Sequence, residues 1–207
     1  MEFARSVFAV LGDLAARLFA PFVDGATIVY WPYLLAAAAL TLGLAMVASL
    51  GTSGSAKTFL HDAFCKKVWW SPSSRADYFY YLINIIIFPI LFAPAILAQS
   101  AVGGEVSAVL TTIFGAWPEP LFSEAALRIA YTGLFFVAYD FGRYAAHWSL
   151  HTYPVLWEFH KTHHSAETLT PITSFRQHPV ELIVMGLGGN LMGGLATGGF
   201  LYLGAGS

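Results

Sequence analysis

Histidines are the residues of this sequence whose type and spacing point most directly to chemistry. Six of the seven lie between residues 147 and 178, and five of these lie within residues 147–164. His147 and His151 are four residues apart, so a helix carries both imidazoles on one face, one turn apart. Neutral imidazole is a good ligand for iron, zinc and similar ions. The spacing therefore predicts a metal-binding face.

A second set of histidines follows Pro154, a residue that suits the first turn of a new helix. His160, His163 and His164 take positions i, i+3 and i+4, and at about 100° per residue they fall within a third of the helix circumference. Two adjacent helices thus present five imidazoles, which is more than one tetrahedral ion uses. The sequence predicts a dinuclear metal site.

Other polar residues lie close to these histidines. Asp140 and Tyr144 continue the face of His147, and Tyr144 is expected to shape and pack the site. Asp140 could orient a histidine through its ring N–H, as carboxylates near metal ligands do. It could equally pair with Arg143 at i+3, and both interpretations stand.

The remaining candidates lie around and beyond the second set. Glu158 is placed to pair with Lys161 and is expected to be structural. His178 precedes Pro179, with Glu181 three residues after it, a pattern typical of a helix start with an acidic third residue. His178 is a candidate metal ligand, and Glu181 is a candidate to hold a ligand in place. The isolated His61 is expected to have no metal role.

The composition favours a bilayer as the solvent of this 207-residue chain. Hydrophobic residues make up 57% and charged residues 11%, against about 25% charged in soluble domains. The single Cys65 excludes an internal disulfide framework and a cysteine-rich zinc module. A net charge of −2 gives no electrostatic footprint for nucleic acid, so no nucleic-acid partner is expected.

Apolar segments predict an all-α polytopic membrane bundle that forms one domain over residues 1–207. Residues 27–50 carry no charge, and a span needs roughly 20 apolar residues. An interfacial helix over residues 1–23 is expected to precede the spans, and Pro89 and Pro94 are expected to kink the second span. The four predicted spanning helices cover residues 27–50, 79–99, 127–151 and 182–204, with the histidine-box region over residues 140–181. Glycine pairs in the last span, with two GxxxG spacings, predict close helix packing.

Charged residues in the connecting segments predict the orientation. Residues 51–78 carry four Lys and Arg, whereas residues 100–126 carry three Glu and no basic residue. The positive-inside rule places the first connector in the cytoplasm and the second on the opposite side. The third span then returns to the cytoplasmic side and delivers the histidines there. The protein is predicted to be an integral membrane protein with a cytoplasmic histidine cluster.

The sequence resembles the fatty acid hydroxylase and sterol desaturase superfamily of membrane proteins over roughly residues 125–185. The matching motifs are Asp140 before His147-Trp-Ser-Leu-His151, then Leu156-Trp-Glu-Phe-His160-Lys-Thr-His163-His164-Ser165, then Arg176-Gln-His178-Pro179-Val180-Glu181. The resemblance implies a membrane-bound non-haem di-iron oxygenase. Such an enzyme hydroxylates or desaturates a lipid with dioxygen and electrons from a redox partner protein. Zinc could replace iron in a purified form.

The resemblance also implies the ligand set and reveals one departure. The implied iron ligands, which are also the implied catalytic residues, are His147, His151, His160, His163 and His164. The family pattern has a third histidine box nearer the C-terminus, whereas no histidine follows His178 here. We therefore expect the functional chain to continue past Ser207.

Three other function classes compete with the oxygenase. A zinc-dependent membrane hydrolase would carry a His-Glu-x-x-His motif, which is absent. A haem or metal-transport protein would place paired histidines within its spans. A truncated, catalytically silent membrane homologue or a metal-binding subunit stays open, because the third box is missing.

The predicted orientation is testable by cysteine-accessibility labelling. Single cysteines at positions 56 and 166, in a background without Cys65, should be labelled from the same side of the membrane, because both belong to segments rich in Lys and Arg. Labelling of the two positions from opposite sides would refute the predicted topology.

Overall fold

The computed structural model describes residues 2–49, 61, 65–91, 98–118 and 123–204, and its regular structure there is entirely helical. This confirms the all-α prediction for the described residues. The helices are α1 (Glu2–Val23), α2 (Trp31–Ser49), α3 (Lys66–Trp69), α4 (Pro72–Leu82), α5 (Phe88–Leu91), α6 (Gln99–Phe114), α7 (Glu124–Thr152), α8 (Pro154–His164) and α9 (Pro179–Gly204). A π-helical turn (Ile83–Ile87) joins α4 to α5, and a 3-10 turn (Pro171–Phe175) precedes α9.

Helix bounds differ from the sequence prediction mainly around the second predicted span. The helix there begins at Pro72, where the Ser71 side chain caps it by accepting a hydrogen bond from the Ser74 N–H. Ala98 has an extended backbone, and a separate helix, α6, begins at Gln99. Residues 79–99 are therefore not one helix. Pro94, one of the two predicted kink positions, lies outside the described residues.

The connector predicted over residues 100–126 also contains regular structure. Most of it is α6, which packs along α9. Val102 and Val106 of α6 face Gly194 and Gly198 of α9 so closely that an added Cβ on either glycine would lie 2.5 Å from a valine side chain. The valines of α6 thus fit against the glycines of α9. This packing explains why the segment is helical, although its charge pattern predicts a connector between spans.

The Cα positions divide the chain into two compact units. One contains residues 1–90 and 162–177, and the other contains residues 91–161 and 178–207. The boundary falls inside α8, after Lys161. The single membrane domain expected from the sequence stays a prediction.

In the unit of residues 1–90 and 162–177, α4 buries a polar face. Its buried residues include Ser73, Asp77 and Tyr81, and Asn84 of the π-helical turn is buried next to them. The Asn84 side-chain amide donates to the carbonyls of Phe175 and Gln177, at 2.9 Å each. Polar side chains of one helix therefore bind the segment that follows α8.

In the other unit, α9 packs against α6 and α7 through its glycines. The two GxxxG spacings face different helices, because Gly189 and Gly193 meet aromatic rings of α7 whereas Gly194 and Gly198 meet α6. The predicted close packing of this helix is confirmed. Because neither surface of α9 offers a bulky side chain, both neighbours approach its backbone.

The closest approach joins α7 to α9. A Cβ added to Gly142 would lie 2.2 Å from the Gly188 carbonyl oxygen, and a Cβ added to Gly188 would lie 2.5 Å from the Gly142 carbonyl oxygen. No side chain fits at either position without a shift of backbone. This contact fixes the separation of the two helices that carry most of the candidate site.

By length and composition, one of the described helices, Pro179–Gly204, is able to cross a membrane, and Trp31–Val47 is a shorter apolar helix. The predicted four-span bundle stays a proposal. The last predicted span, over residues 182–204, coincides with α9 apart from its first turn.

The glycine contact gives a stability prediction. Gly188→Ala should lower the free energy of unfolding by about 1–3 kcal/mol, because overpacking at a tight contact forces backbone shifts. Gly133→Ala in α7 is the matched control, since nothing lies within 4 Å of a Cβ added there. Thermal unfolding in detergent measures both, and an equal loss in the two variants would show that the close approach is not a constraint.

Candidate metal centre

The candidate site lies where α7 ends and α8 begins. Tyr153 has an extended backbone between the two helices, and Pro154 opens α8. Proline cannot donate the backbone hydrogen bond that would continue α7, and its fixed φ suits a helix start. The last turns of α7 carry His147 and His151, and the middle of α8 carries His160.

The imidazoles of His147, His151 and His160 meet at their Nε2 atoms. The His151 Nε2 lies 3.0 Å from the His147 Nε2 and 3.2 Å from the His160 Nε2. The three ring centroids are 4.7–4.8 Å apart. Each ring therefore directs the same nitrogen towards the other two.

His147, His151 and His160 form the histidine group, whose potential ligand atoms all lie within 4.8 Å of one another. Nitrogen ligands at about 2.0–2.1 Å from one ion are roughly 3.0–3.4 Å apart. The distances between the Nε2 atoms fit this requirement, so the residues present suit a shared transition-metal ion.

A buried carboxylate stands behind His160. The Glu181 Oε1 lies 3.2 Å from the His160 Nδ1, and both side chains are almost fully buried. A buried carboxylate requires a hydrogen-bond donor or a positive charge, and the ring nitrogen that faces it can carry that proton. A proton on Nδ1 would leave the lone pair of the His160 Nε2 available to a metal ion. Carboxylates hold metal-binding histidines in this way.

Glu181 is itself placed by the start of α9. Pro179 begins that helix, and Glu181 is the third helical residue. The unpaired N–H groups and the macrodipole of a helix favour a negative charge in the first turn. The sequence pattern Pro-x-Glu therefore places the carboxylate where the helix stabilises it.

An apolar cluster supports the histidines from below. Ala146 and Leu150 of α7 are buried with Met185 of α9, and Leu156 of α8 packs against them. Leu150 is fully buried and lies between His147 and His151 in the sequence of α7. Because its burial requires α8 and α9 to lie against α7, the same packing sets the position of the imidazoles.

The other predicted site residues have different surroundings. The ring of His163 packs against that of His164, with 5.3 Å between the ring centroids. Asp140 and Tyr144 are exposed, and within the described part of the chain neither forms a hydrogen bond to a histidine. Nor does Asp140 pair with Arg143 there. The face of α7 that contains them turns outward one turn before His147.

His178 caps the start of α9. Its Nδ1 accepts a hydrogen bond from the Val180 N–H at 3.2 Å, and its ring packs against Phe159. Burial lowers the pKa of His178 below the ordinary value for histidine. A neutral ring whose Nδ1 accepts a hydrogen bond carries its proton on Nε2. His178 is outside the histidine group, and its predicted role as a ligand stays a prediction.

Glu158 and His61 are both predicted to have no metal role. Glu158 and Lys161 form an ion pair on the exposed side of α8, which confirms the predicted pairing. His61 is exposed and is not part of the histidine group.

Sequence reasoning did not identify an open pocket beside His151. The pocket has a volume of about 380 Å³ and is lined by His151, Thr152, Pro154 and Trp157. The Trp157 ring lies 5.6 Å from the His151 ring. The signal for it is the break at Pro154, since a turn between two helices leaves a concave surface next to the last histidine of α7.

Residues 132–204 match the protein-family model described as fatty acid hydroxylase. This part of the chain is therefore similar to fatty acid hydroxylases. The match contains most of α7 and all of α8 and α9, so it includes the whole histidine group together with Glu181. It confirms the resemblance inferred from the motifs. No curated protein and no solved structure matches the chain.

The geometry of the histidine group predicts which variants lose metal. His151→Ala removes the Nε2 closest to two other histidines and should abolish most metal binding. Glu181→Gln should weaken metal affinity by about 10–100-fold, because it removes the charge that orients His160. Metal content of purified protein and metal-dependent thermal stabilisation measure both effects.

His61→Ala is the control for these variants, since His61 is exposed and outside the histidine group. It should bind as much metal as the unmodified protein. If His61→Ala loses metal as strongly as His151→Ala, the assigned group is wrong.

Proposed function

We propose that this protein is a membrane-bound non-haem di-iron oxygenase that hydroxylates or desaturates a lipid, with dioxygen as oxidant and a redox protein as electron donor. The observation that carries the proposal is the convergence of three Nε2 atoms, backed by Glu181, within the segment that matches the fatty acid hydroxylase family model. When bound, the iron centre supplies the oxygen activation that breaks an unactivated C–H bond. The fatty acyl chain, sterol or related lipid is the substrate class.

The chain's own residues would provide ligation, orientation and a dry environment. The histidine group would hold one metal ion, and His163, His164 and His178 are the remaining predicted ligands. Glu181 would keep the His160 Nε2 unprotonated and aimed at the metal. Leu150 and Met185 would exclude water from the inner side of the group.

The pocket beside His151 would admit the reacting carbon of the substrate. It opens on the same imidazole that contacts both other histidines, and Trp157 forms an apolar wall. A substrate placed there lies next to the metal ligands without passing through the buried cluster below them. Positioning of this kind is the protein's contribution to an otherwise cofactor-borne reaction.

Exposed apolar side chains support the proposal that the protein is an integral membrane protein. On α7, Ile129 is 75% exposed and Phe136 is 71% exposed. Leu35, Leu40 and Leu44 of α2 are also exposed. Apolar surface this extensive is costly in water and suits contact with lipid. The four-span arrangement with the histidines on the cytoplasmic side is part of this proposal, and it would bring the site within reach of lipid and of a cytoplasmic electron donor.

Iron analysis and oxygen-labelled turnover together test the proposal. The purified full-length protein, supplied with ferrous iron, a reductant and membrane lipids, should bind about two irons per chain. Under labelled dioxygen it should form hydroxylated lipid that carries the label, or an alkene in a desaturation. His151→Ala and an anaerobic incubation are the controls, and both should give no product.

The other outcomes identify the competing function. Bound metal without oxygen-dependent product would favour a metal-binding membrane subunit. Absence of iron binding would favour a catalytically silent homologue, and either result with the full-length protein would refute the proposed oxygenase activity.

A further inference from the structure

A buried ion pair outside the histidine group has no part in the proposed chemistry. The Arg176 Nη1 donates to the Asp77 Oδ1 at 3.1 Å, and Asp77 is fully buried. The second carboxylate oxygen of Asp77 accepts a hydrogen bond from the Thr173 hydroxyl at 2.6 Å. The same Nη1 also donates to the hydroxyl and the carbonyl of Ser73, at 3.0 and 3.2 Å. Both charged groups are therefore held by several partners.

The other arms of the guanidinium bind the end of α8. The Arg176 Nε donates to the Thr162 carbonyl at 3.1 Å, and the Nη2 donates to the Ser165 hydroxyl at 2.9 Å and to the Ser165 carbonyl at 3.3 Å. Thr162 and Ser165 flank His163 and His164 in the sequence. The carbonyls of the last helical turn lack partners within the helix, and a cation there satisfies them and complements the helix dipole.

The chain immediately after α8 is bound to the same place on α4. The backbone N–H groups of Glu167 and Thr168 donate to the Ser73 hydroxyl, at 3.1 and 3.4 Å. Arg176, Asp77 and Ser73 thus hold the chain on both sides of His163 and His164. The last turn of a helix otherwise frays, and metal ligands need their positions fixed to about 0.5 Å.

We propose that Arg176 and Asp77 are positioning residues, which fix the last turn of α8 and with it the direction of His163 and His164. The inference rests on the proposed function in one respect, since it takes these histidines as metal ligands. The planar fork of Arg176 is the essential feature, because it contacts Asp77 and the α8 carbonyls at the same time. A lysine ammonium would keep the positive charge opposite Asp77, but it could not contact Asp77 and the end of α8 at the same time.

Arg176→Lys and Arg176→Met separate positioning from plain stability. Arg176→Met leaves Asp77 buried without its cation and should lower the thermal midpoint by roughly 10 °C. Arg176→Lys should restore most of that loss. Amide hydrogen exchange of residues 162–168 in the metal-free protein should nevertheless be about tenfold faster in Arg176→Lys than in the unmodified protein, because bonds from a charged donor are lost.

A metal probe adds a second readout. In Arg176→Lys loaded with cobalt(II) alone, the ligand-field absorption spectrum should change and the metal should leave faster to a chelator. Arg75→Met is the matched control, because Arg75 lies on α4, two residues before Asp77, and its side chain is exposed. It should leave the thermal midpoint, the exchange of residues 162–168 and the cobalt spectrum unchanged.

If the exchange rates and the cobalt spectrum of Arg176→Lys equal those of the unmodified protein, the inference is wrong. The positive charge alone would then be enough to position the end of α8. If Arg176→Met fails to fold, Arg176→Lys alone still decides the question. Failure of the proposed oxygenase is distinguishable, because hydrogen exchange is read on metal-free protein and needs no turnover. If the protein has no oxygenase activity but residues 162–168 still exchange slowly only when Arg176 is present, the proposed function is refuted. The positioning role of Arg176 is then retained.

Discussion

The carboxylate of Glu181 is buried, and a buried negative charge must meet a donor or a cation. Here it meets the Nδ1 of His160 at 3.2 Å, in a place that the start of α9 makes favourable for a negative charge. This contact determines which nitrogen of His160 faces the other histidines, and so it decides the chemistry available to the histidine group. Without the carboxylate, three converging imidazoles could adopt several tautomers, few of which present lone pairs to one point.

The contact between Glu181 and His160 depends in turn on how closely α7 and α9 pack. Gly142 and Gly188 let the two backbones touch, and the glycines further along α9 extend the approach to α6 as well. In lipid, helices gain little from burying apolar surface against one another, so close packing of small residues is a major source of association. The weak helix propensity of glycine is the cost of bringing the carboxylate and the imidazoles together.

A second set of buried charged residues involves Asp77 of α4, and its role differs from that of Glu181. Glu181 sets the electronic state of a histidine, whereas Arg176 and Asp77 restrain the backbone around His163 and His164. Both arrangements join residues distant in sequence, and Arg176 follows Asp77 by 99 residues. A buried ion pair contributes little net stability, and its value here lies in fixing where the chain runs after α8.

Much of the local structure follows from the sequence by itself. The four-residue spacing of His147 and His151 and the break at Pro154 predict two helices with imidazoles on one face of each, because helix periodicity and proline geometry are local properties. The glycine spacings likewise predict tight packing of α9. They do not identify its neighbours, and the segment of α6, which charge labels a connector, takes one of the two faces.

The sequence determined the residue types that are able to bind metal and their faces, and the family resemblance followed from the same motifs. Only the tertiary structure decided that His147, His151 and His160 meet, that His178 caps the start of α9, and that Asp140 and Tyr144 turn outward. Helical period fixes directions relative to one axis, but convergence depends on the angle between two helices. That angle is set by the packing of Leu150, Met185 and the glycines, whose partners lie tens of residues away along the chain.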